Sequence, residues 1–446
     1  MTQSKSPDEA IPAERPPLKQ DGQAERLPVS ASSFAVGMCG LAAFLVAIFA
    51  VRYIRHLSPY FNIAYLGLFV LIVTALGVFV PDFIWKKSYL RVNNGWLNPP
   101  SPSWPRTLTK CVGLLGSMAF VGLLYWMFPE YNASFYAPYY KMLSVLLPFW
   151  LVLSLPYIWW VDARMAKPED GLWHMGRLIM WQWPGLDKRR IRQHLLGWLV
   201  KGFFLPLVFV YVCQYLNKFT ALRFDNMNGF KSFYSFFIDL FYFIDVGICA
   251  CGYLFTLRLT NTHIRSTDST LLGWVVAILC FQPFWSLISR QYLAYETHYW
   301  WGDWLWQNPG FYAIWGTMIL ALMLIYALST VAFGMRYSNL THRGILTSGP
   351  YRWSKHPAYI SQNLSWWLIS VPFLVRVSFL ESLRHMLLLL VVNGIYYLRA
   401  KTEERHLSHD PVYVQYAEWI QKNGLFAVLR RYFKTLTSTS PPATHG

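Results

Sequence analysis

Long apolar runs constrain the fold of this chain more than any other feature of its sequence. Several of them reach the length of ~20 residues that a helix needs to cross a bilayer. A bilayer interior offers no water to unpaired backbone groups, and no strand-like alternation is present, so helices are the expected spanning structure. The sequence predicts an all-α, polytopic integral membrane bundle of about ten transmembrane helices, at 33–54, 62–85, 107–128, 141–161, 195–216, 232–257, 271–290, 310–335, 358–375 and 382–398.

The composition excludes most soluble classes of protein. Only 14% of the 446 residues are charged and 55% are hydrophobic, whereas a soluble domain carries roughly 25% charged residues. The net charge of +17 comes from basic residues that lie between the apolar runs, where they suit contact with anionic lipid headgroups, and no nucleic-acid partner is predicted. The six cysteines lie in apolar runs at irregular spacing, which favours small buried hydrophobes over disulfides or a metal site.

Lysine and arginine are concentrated in alternate connections between the runs, namely those after runs two, four, eight and ten. The positive-inside rule places these connections, and with them both termini, on the cytoplasmic side. We predict four regions: a disordered leader at 1–32, an N-terminal transmembrane bundle at 33–330, a C-terminal functional region at 331–434 that ends in a cytosolic helix, and a disordered tail at 435–446.

Two tryptophan-rich stretches are typical of membrane interfaces. The connection 162–194 combines three Trp with basic residues, which indicates an interfacial amphipathic segment or a segment that binds a substrate headgroup. The stretch 299–306 is expected to form an aromatic belt on the opposite face.

Run six contains two acids, Asp239 and Asp245. Because they are six residues apart, they do not share one helical face. Acids within a bilayer usually serve function. Two interpretations stay open: a substrate site, or one acid near the interface and the other hydrogen-bonded within the bundle.

Two polar clusters flank the last two apolar runs. The first reads LTSGPYRWSKHPAY at 346–359; proline suits the first position of a helix, so His356 is predicted to cap run nine, with Tyr359 on the same face. The second reads RAKTEERHL at 399–407, where Arg399 and Glu403 share a helical face. The hairpin between them brings both clusters to one bilayer face, and such grouping of ionisable side chains usually serves chemistry.

The two clusters, with YVQY at 413–416, resemble the isoprenylcysteine carboxyl methyltransferase family, whose wider relatives include membrane phospholipid methyltransferases. The resemblance covers roughly residues 336–420 and implies S-adenosylmethionine as cofactor, bound between the last membrane helices and the cytosolic C-terminal helix. By position it implies that Arg399 positions the substrate. It also implies that the cofactor contacts are Arg343, Gly344, Ile345, Leu346, Tyr351, His356, Pro357, Ala358, Tyr359, Glu403 and Glu404.

The expected function is therefore that of an integral-membrane S-adenosylmethionine-dependent methyltransferase. Our hypothesis for the acceptor is a membrane lipid or lipidated molecule, methylated at a carboxylate or another oxygen; the resemblance itself does not identify the acceptor. An NADPH-dependent reductase of the sterol type and a non-catalytic lipid-binding or transport protein are the alternatives. The paired glutamates favour the methyl donor, since a phosphorylated nucleotide prefers cations. Trp366 and Trp367 either face the cofactor's cation or pack against lipid.

Overall fold

The computed structural model describes residues 26–87, 90, 98–286, 289, 301–305, 307–374 and 378–438. The regular structure in these ranges is almost entirely helical, which confirms the all-α class. The helices are α1 (Phe34–Leu57), α2 (Ile63–Pro81), α3 (Trp104–Met127), α4 (Ala137–Asp162), α5 (Gly171–Ile179), α6 (Lys188–Ala221), α7 (Gly229–Leu254), α8 (Leu271–Leu279), α9 (Phe284–Ser286), α10 (Trp301–Leu305), α11 (Pro309–Phe333), α12 (Pro357–Ser370), α13 (Phe379–Leu407), α14 (Pro411–Asn423) and α15 (Leu425–Ser438). Two short strands, β1 (Ser266–Thr267) and β2 (Thr341–His342), pair antiparallel.

Eight helical segments of the described chain are long and apolar enough to cross a membrane, fewer than the ten expected. They are Phe34–Leu57, Ile63–Lys86, Trp104–Met127, Ser134–Asp162, Lys188–Ala221, Gly229–Leu254, Pro309–Arg336 and Phe379–Leu407. The runs at 271–290 and 358–375 were wrongly expected to be full-length helices. In their place stand α8 with 9 residues and α12 with 14, which span about 14 and 21 Å against the ~30 Å of a bilayer core. Pro283 and Pro372 interrupt these helices, because proline disfavours helical backbone at the residue before it.

The interrupted segment that contains α8 still carries the chain back along the bundle. The end of α7 lies beside the connection that follows α11, where Gly252 O accepts a hydrogen bond from Arg343 Nη1 at 2.8 Å. At the other end, Trp301 stacks on Tyr312 at the start of α11, with ring centroids 4.6 Å apart. The described ends of this segment therefore lie near opposite ends of α11.

The core of the bundle is rich in aromatic residues. Phe44 from α1, Phe204 from α6 and Phe243 from α7 are fully buried. Trp301, predicted to belong to an interfacial belt, is also fully buried, because it packs between Tyr234 and Tyr312. The belt residues Tyr299, Trp300 and Trp306 lie outside the described residues. In the connection 162–194, α5 is followed by two exposed residues, Trp181 and Trp183, as an interfacial segment requires.

A short N-terminal segment, residues 26–33, crosses the connection between α11 and α12; we call it the N-terminal strap. Ala31 N donates to Ile345 O at 2.8 Å, and Thr347 Oγ1 donates to Pro28 O at 2.7 Å. The end of the leader predicted at 1–32 is thus held by hydrogen bonds, while residues 1–25 lie outside the described residues. At the other terminus α15 continues to Ser438, four residues into the tail expected at 435–446, and 439–446 lie outside the described residues.

Candidate active site

A cavity of about 220 Å³ lies where α12 and α13 meet α7 and α11. Both polar clusters contribute to its wall, because α12 and α13 run side by side and bring the two ends of the hairpin together. The predicted site residues that line it are Tyr351, His356, Ala358, Tyr359, Arg399 and Glu403.

His356 occupies the N-cap position of α12, as the following proline predicts. Its side chain forms no capping hydrogen bond. Instead its Nε2 lies 3.1 Å from Glu404 Oε1. Its ring stacks on that of Tyr359, with centroids 5.5 Å apart and planes 7° from parallel. The two rings form a flat aromatic wall on one side of the cavity.

The adjacent acids Glu403 and Glu404 have different surroundings. Glu404 carries three basic partners: Lys355 Nζ at 2.5 Å, His356 Nε2 at 3.1 Å and Lys401 Nζ at 2.9 Å. Glu403 lines the cavity and accepts a hydrogen bond from Tyr359 Oη at 3.0 Å. Glu404 therefore ties the His-Pro turn to α13, and Glu403 presents a carboxylate to the cavity.

Arg399 is a buried cation one helical turn before Glu403. Its Nη2 donates to Asn339 Oδ1 at 2.6 Å. Its guanidinium lies over three aromatic rings, 5.0 Å from the centroid of Tyr359, 5.4 Å from Phe281 and 5.9 Å from Tyr396. Among the described residues no carboxylate forms an ion pair with it. A buried cation without an acidic partner in a cavity wall is suited to an anionic ligand.

The predicted contacts at 343–346 lie outside the cavity wall. Arg343 is buried and donates to the carbonyl oxygens of Thr262 (2.7 Å), Gly252 (2.8 Å) and Tyr337 (2.7 Å); its burial lowers its pKa to about 9. These bonds hold the connection against α7.

The other three residues of this stretch pack against neighbouring segments. Gly344 has φ +115° beside Ala31, Ile345 packs against Tyr413 and Tyr416, and Leu346 packs against Tyr351. Pro357 and Glu404 also lie outside the cavity wall.

The cavity includes polar residues that sequence reasoning missed or left open. Asp245 lines it and accepts hydrogen bonds from Tyr326 Oη at 2.7 Å and Thr330 Oγ1 at 2.5 Å. Asp239 instead pairs with Lys218 Nζ at 2.6 Å, away from the cavity, so the two acids face different surroundings as their spacing predicted. Asn339 was missed, because the sequence carries no signal that it meets a residue sixty positions away.

Trp366 and Trp367 pack against α9 and α13 and are not among the residues that line the cavity. The Trp366 ring stacks on Trp285 with centroids 5.7 Å apart, and Trp367 Nε1 donates to Asn393 Oδ1 at 2.8 Å. These contacts are with protein side chains, so they correspond neither to the expected contact with the cofactor's cation nor to packing against lipid.

Comparison with known proteins supports a family for part of the chain. No curated protein and no solved structure matches it. Residues 312–409 match the model of the isoprenylcysteine carboxyl methyltransferase (ICMT) family, a stretch that contains both polar clusters. This match in the C-terminal region, together with the long apolar helices, supports an integral-membrane methyltransferase.

Proposed function

We propose that this chain is an S-adenosylmethionine-dependent methyltransferase that acts on a lipid or lipidated acceptor, at a carboxylate or another oxygen. The observation that carries the proposal is the placement of opposite charges in one cavity: Arg399 and Glu403 lie one turn apart on α13 and line the same wall. In our proposal Glu403 holds the cationic methyl donor and Arg399 holds the anionic acceptor. Because both reactants are then bound side by side, little further translational and rotational entropy is lost when they reach the reactive geometry.

The residues of the cavity fit a nucleoside that bears a sulfonium and an amino acid. Glu403 offers a carboxylate to hydroxyl or ammonium groups, and the rings of His356 and Tyr359 offer a flat face to a base or a cation. Thr341 Oγ1 also lies in this wall, buried and without a hydrogen-bond partner among the described residues. When bound, S-adenosylmethionine supplies a methyl group that its positive charge activates towards nucleophiles.

Arg399 is suited to orient the acceptor. A planar guanidinium binds a carboxylate through two parallel hydrogen bonds, which fixes the direction of its oxygens. Asn339 and the ring of Tyr359 hold the guanidinium in place before any ligand binds. A carboxylate is already deprotonated at neutral pH, so an acceptor of this class needs no general base.

The N-terminal bundle supplies an apolar part of the same cavity. Val208 and Tyr211 from α6 and Val246 from α7 line it. These side chains suit the hydrocarbon part of an amphiphilic acceptor, whose polar end then meets Arg399. In our proposal, the N-terminal bundle therefore forms the apolar part of the acceptor cavity.

Titration of the purified protein with S-adenosylhomocysteine and, separately, with NADPH tests the cofactor. We expect saturable binding of S-adenosylhomocysteine only. Binding of NADPH alone would contradict the proposal and support the sterol-type reductase. Transfer of radiolabelled methyl groups into lipid extracts then tests the acceptor, and binding of neither cofactor would favour a non-catalytic protein.

A further inference from the structure

A second groove lies apart from the catalytic cavity, between α3, α4, α5, the first half of α6 and the connection 254–266. None of the described residues lines both spaces. The groove is formed by the N-terminal bundle, outside the part of the chain that matches the methyltransferase family. The groove therefore has no assigned part in the proposed methyl transfer.

Basic side chains outnumber acidic ones in this groove: six lysines and arginines line it against two aspartates. Both aspartates are already paired, because Asp162 lies 2.8 Å and Asp170 lies 3.4 Å from Lys110 Nζ. Arg106 adds a second basic partner to Asp162 at 2.6 Å. The acids are thus neutralised at one end, and the remaining cations give the groove a positive charge.

Lys201 is the most informative of these cations. It lies within the apolar sequence LLGWLVKGFF of α6, in a helix that is long and apolar enough to cross a membrane. Among the described residues it forms no ion pair, and its Nζ lies 5.7 Å from the centroid of the Trp198 ring. A basic side chain at such a position is costly and usually serves a function.

Further hydrogen-bond donors line the same groove. Arg258 and His263 come from the connection after α7. The His263 Nδ1 atom is buried and has no hydrogen-bond partner among the described residues. The Tyr157 hydroxyl accepts the backbone N–H groups of Arg258 (3.0 Å) and Leu259 (3.3 Å), which holds this connection against α4. Basic side chains from α6 and from the connection after α7 thus line one groove, where a single phosphate can contact both elements.

The remaining wall of the groove is apolar and open. Trp150 and Leu153 of α4 line it and are 39% and 61% exposed. In a membrane this helix face meets lipid, so a molecule can enter the groove sideways from the bilayer. A ligand that is complementary to both the basic part and the apolar part of the groove has a negative headgroup and a hydrocarbon chain.

We propose that this groove binds an anionic membrane phospholipid. Its phosphate contacts Lys201 and Arg258, and its acyl chains lie along α4. The charge of the groove and its open apolar side together select this lipid over a zwitterionic one, whose headgroup brings a cation to a groove that is already positive.

Retention of lipid by the full-length chain tests the proposal without any methyl donor. The protein is reconstituted into phosphatidylcholine vesicles that contain a minor fraction of phosphatidylglycerol, re-extracted into mild detergent, and analysed for bound lipid by native mass spectrometry. We compare the unmodified chain with Lys201→Met, Lys201→Arg and Arg258→Gln. Lys141→Met, which removes an exposed lysine at the far end of α4, is the matched control.

We expect phosphatidylglycerol to be enriched by the unmodified chain, by Lys141→Met and by Lys201→Arg. In Lys201→Met and Arg258→Gln the enrichment should fall by about fivefold, the usual effect of one basic residue near an anionic headgroup. Equal enrichment in Lys201→Met and the unmodified chain would overturn the proposal. So would full displacement of the lipid by glycerol phosphate, since a site for the free headgroup does not require acyl chains.

Discussion

At the scale of single residues, the division of roles between Glu403 and Glu404 is the clearest property of the site. Three basic side chains surround Glu404, while the partner of Glu403 in the cavity wall is the hydroxyl of Tyr359. A carboxylate with three basic partners has little capacity left for a ligand. In our proposal, Glu403 therefore binds the cofactor and Glu404 attaches the His-Pro turn to α13.

Glu403→Gln should weaken binding of S-adenosylhomocysteine by about tenfold or more, because a hydrogen bond to a charged group contributes ~1.5–3 kcal/mol. Isothermal titration of the purified variant measures this. Glu381→Gln, which removes a half-exposed carboxylate from the other end of α13, should leave the affinity unchanged. Equal affinities for Glu403→Gln and the unmodified chain would remove Glu403 from the cofactor site.

Arg399→Ala should lower kcat by at least ~10²-fold while the affinity for S-adenosylhomocysteine changes little, because positioning of the acceptor is lost. Methyl transfer to lipid extracts and cofactor titration give the two quantities. Arg399→Lys should not restore turnover, since an ammonium lacks the planar fork. A loss of cofactor affinity as large as the loss of kcat would instead place Arg399 at the cofactor.

At the scale of elements, the connection from α11 to α12 is held between the N-terminal strap and α14. The strap bonds to Ile345 and Thr347. On the other side, Ile345 packs against Tyr416, whose hydroxyl donates to Tyr351 O at 2.7 Å. These contacts hold the connection at 343–346 in place before the His-Pro turn, so segments from both ends of the chain support the wall of the candidate active-site cavity.

Gly344→Ala should destabilise the protein by ~1–3 kcal/mol, because its φ of +115° suits glycine and an added Cβ would lie 2.6 Å from Ala31 Cβ. We expect a lower Tm in detergent and faster proteolysis of the strap. Gly122→Ala is the control, since an added Cβ there meets nothing within 4 Å. An unchanged Tm for Gly344→Ala would show that the strap does not hold the connection.

The stability of the fold at the start of α14 should depend on pH, because Asp410 titrates there. The His342 imidazole, whose Nε2 lies 3.1 Å from Asp410 Oδ2, holds the pKa of that carboxyl below its usual range. A lowered pKa means that the pair stabilises the fold above about pH 4 and that this contribution is lost as the pH falls further.

Asp410→Asn isolates this effect, because asparagine preserves the N-cap of α14 and removes the charge. At neutral pH the variant should be less stable by about 1 kcal/mol, the typical net contribution of one hydrogen bond within a protein. Its Tm difference from the unmodified chain should shrink below about pH 4. A difference that is constant across this range would contradict a role for the charge.

At the scale of the whole molecule, α11, α12 and α13 bring both polar clusters to one end of the bundle. The start of α3 and the end of α4 lie near this end, because Arg106 and Asp162 meet at 2.6 Å and Tyr157 of α4 accepts a hydrogen bond from Arg258 N, in the connection that leads to Ser266 beside His406. Residues 128–136 therefore form the turn at the opposite end. The expected topology places the clusters on the cytoplasmic side.

Cysteine labelling in sealed vesicles tests this topology. Arg352→Cys and Ser408→Cys, at exposed positions, should react with an impermeant maleimide from the cytoplasmic side. Asn132→Cys, also exposed, should react from the other side only. The unmodified chain controls for the six native cysteines. Labelling of Asn132→Cys and Ser408→Cys from the same side would contradict the arrangement.

The sequence predicted more full-length membrane-spanning helices than the described residues contain. Apolar runs predict helices well, because each helix satisfies its own backbone hydrogen bonds whatever its neighbours are. The runs that contain α8 and α12 have the composition of a full span, yet Pro283 and Pro372 interrupt them. The boundary expected at residue 331 also falls inside α11, since the helix continues across the change in composition.

The sequence alone determined the all-α class, the hairpin with its two polar clusters, and the shared helical face of Arg399 and Glu403, because these depend on contacts between near neighbours in the chain. The packing of the helices determines which glutamate faces the cavity, that Asn339 holds Arg399, and that Asp245 lines the same space. Those relations join residues far apart in sequence, and their geometry is set by how the helices pack around one another.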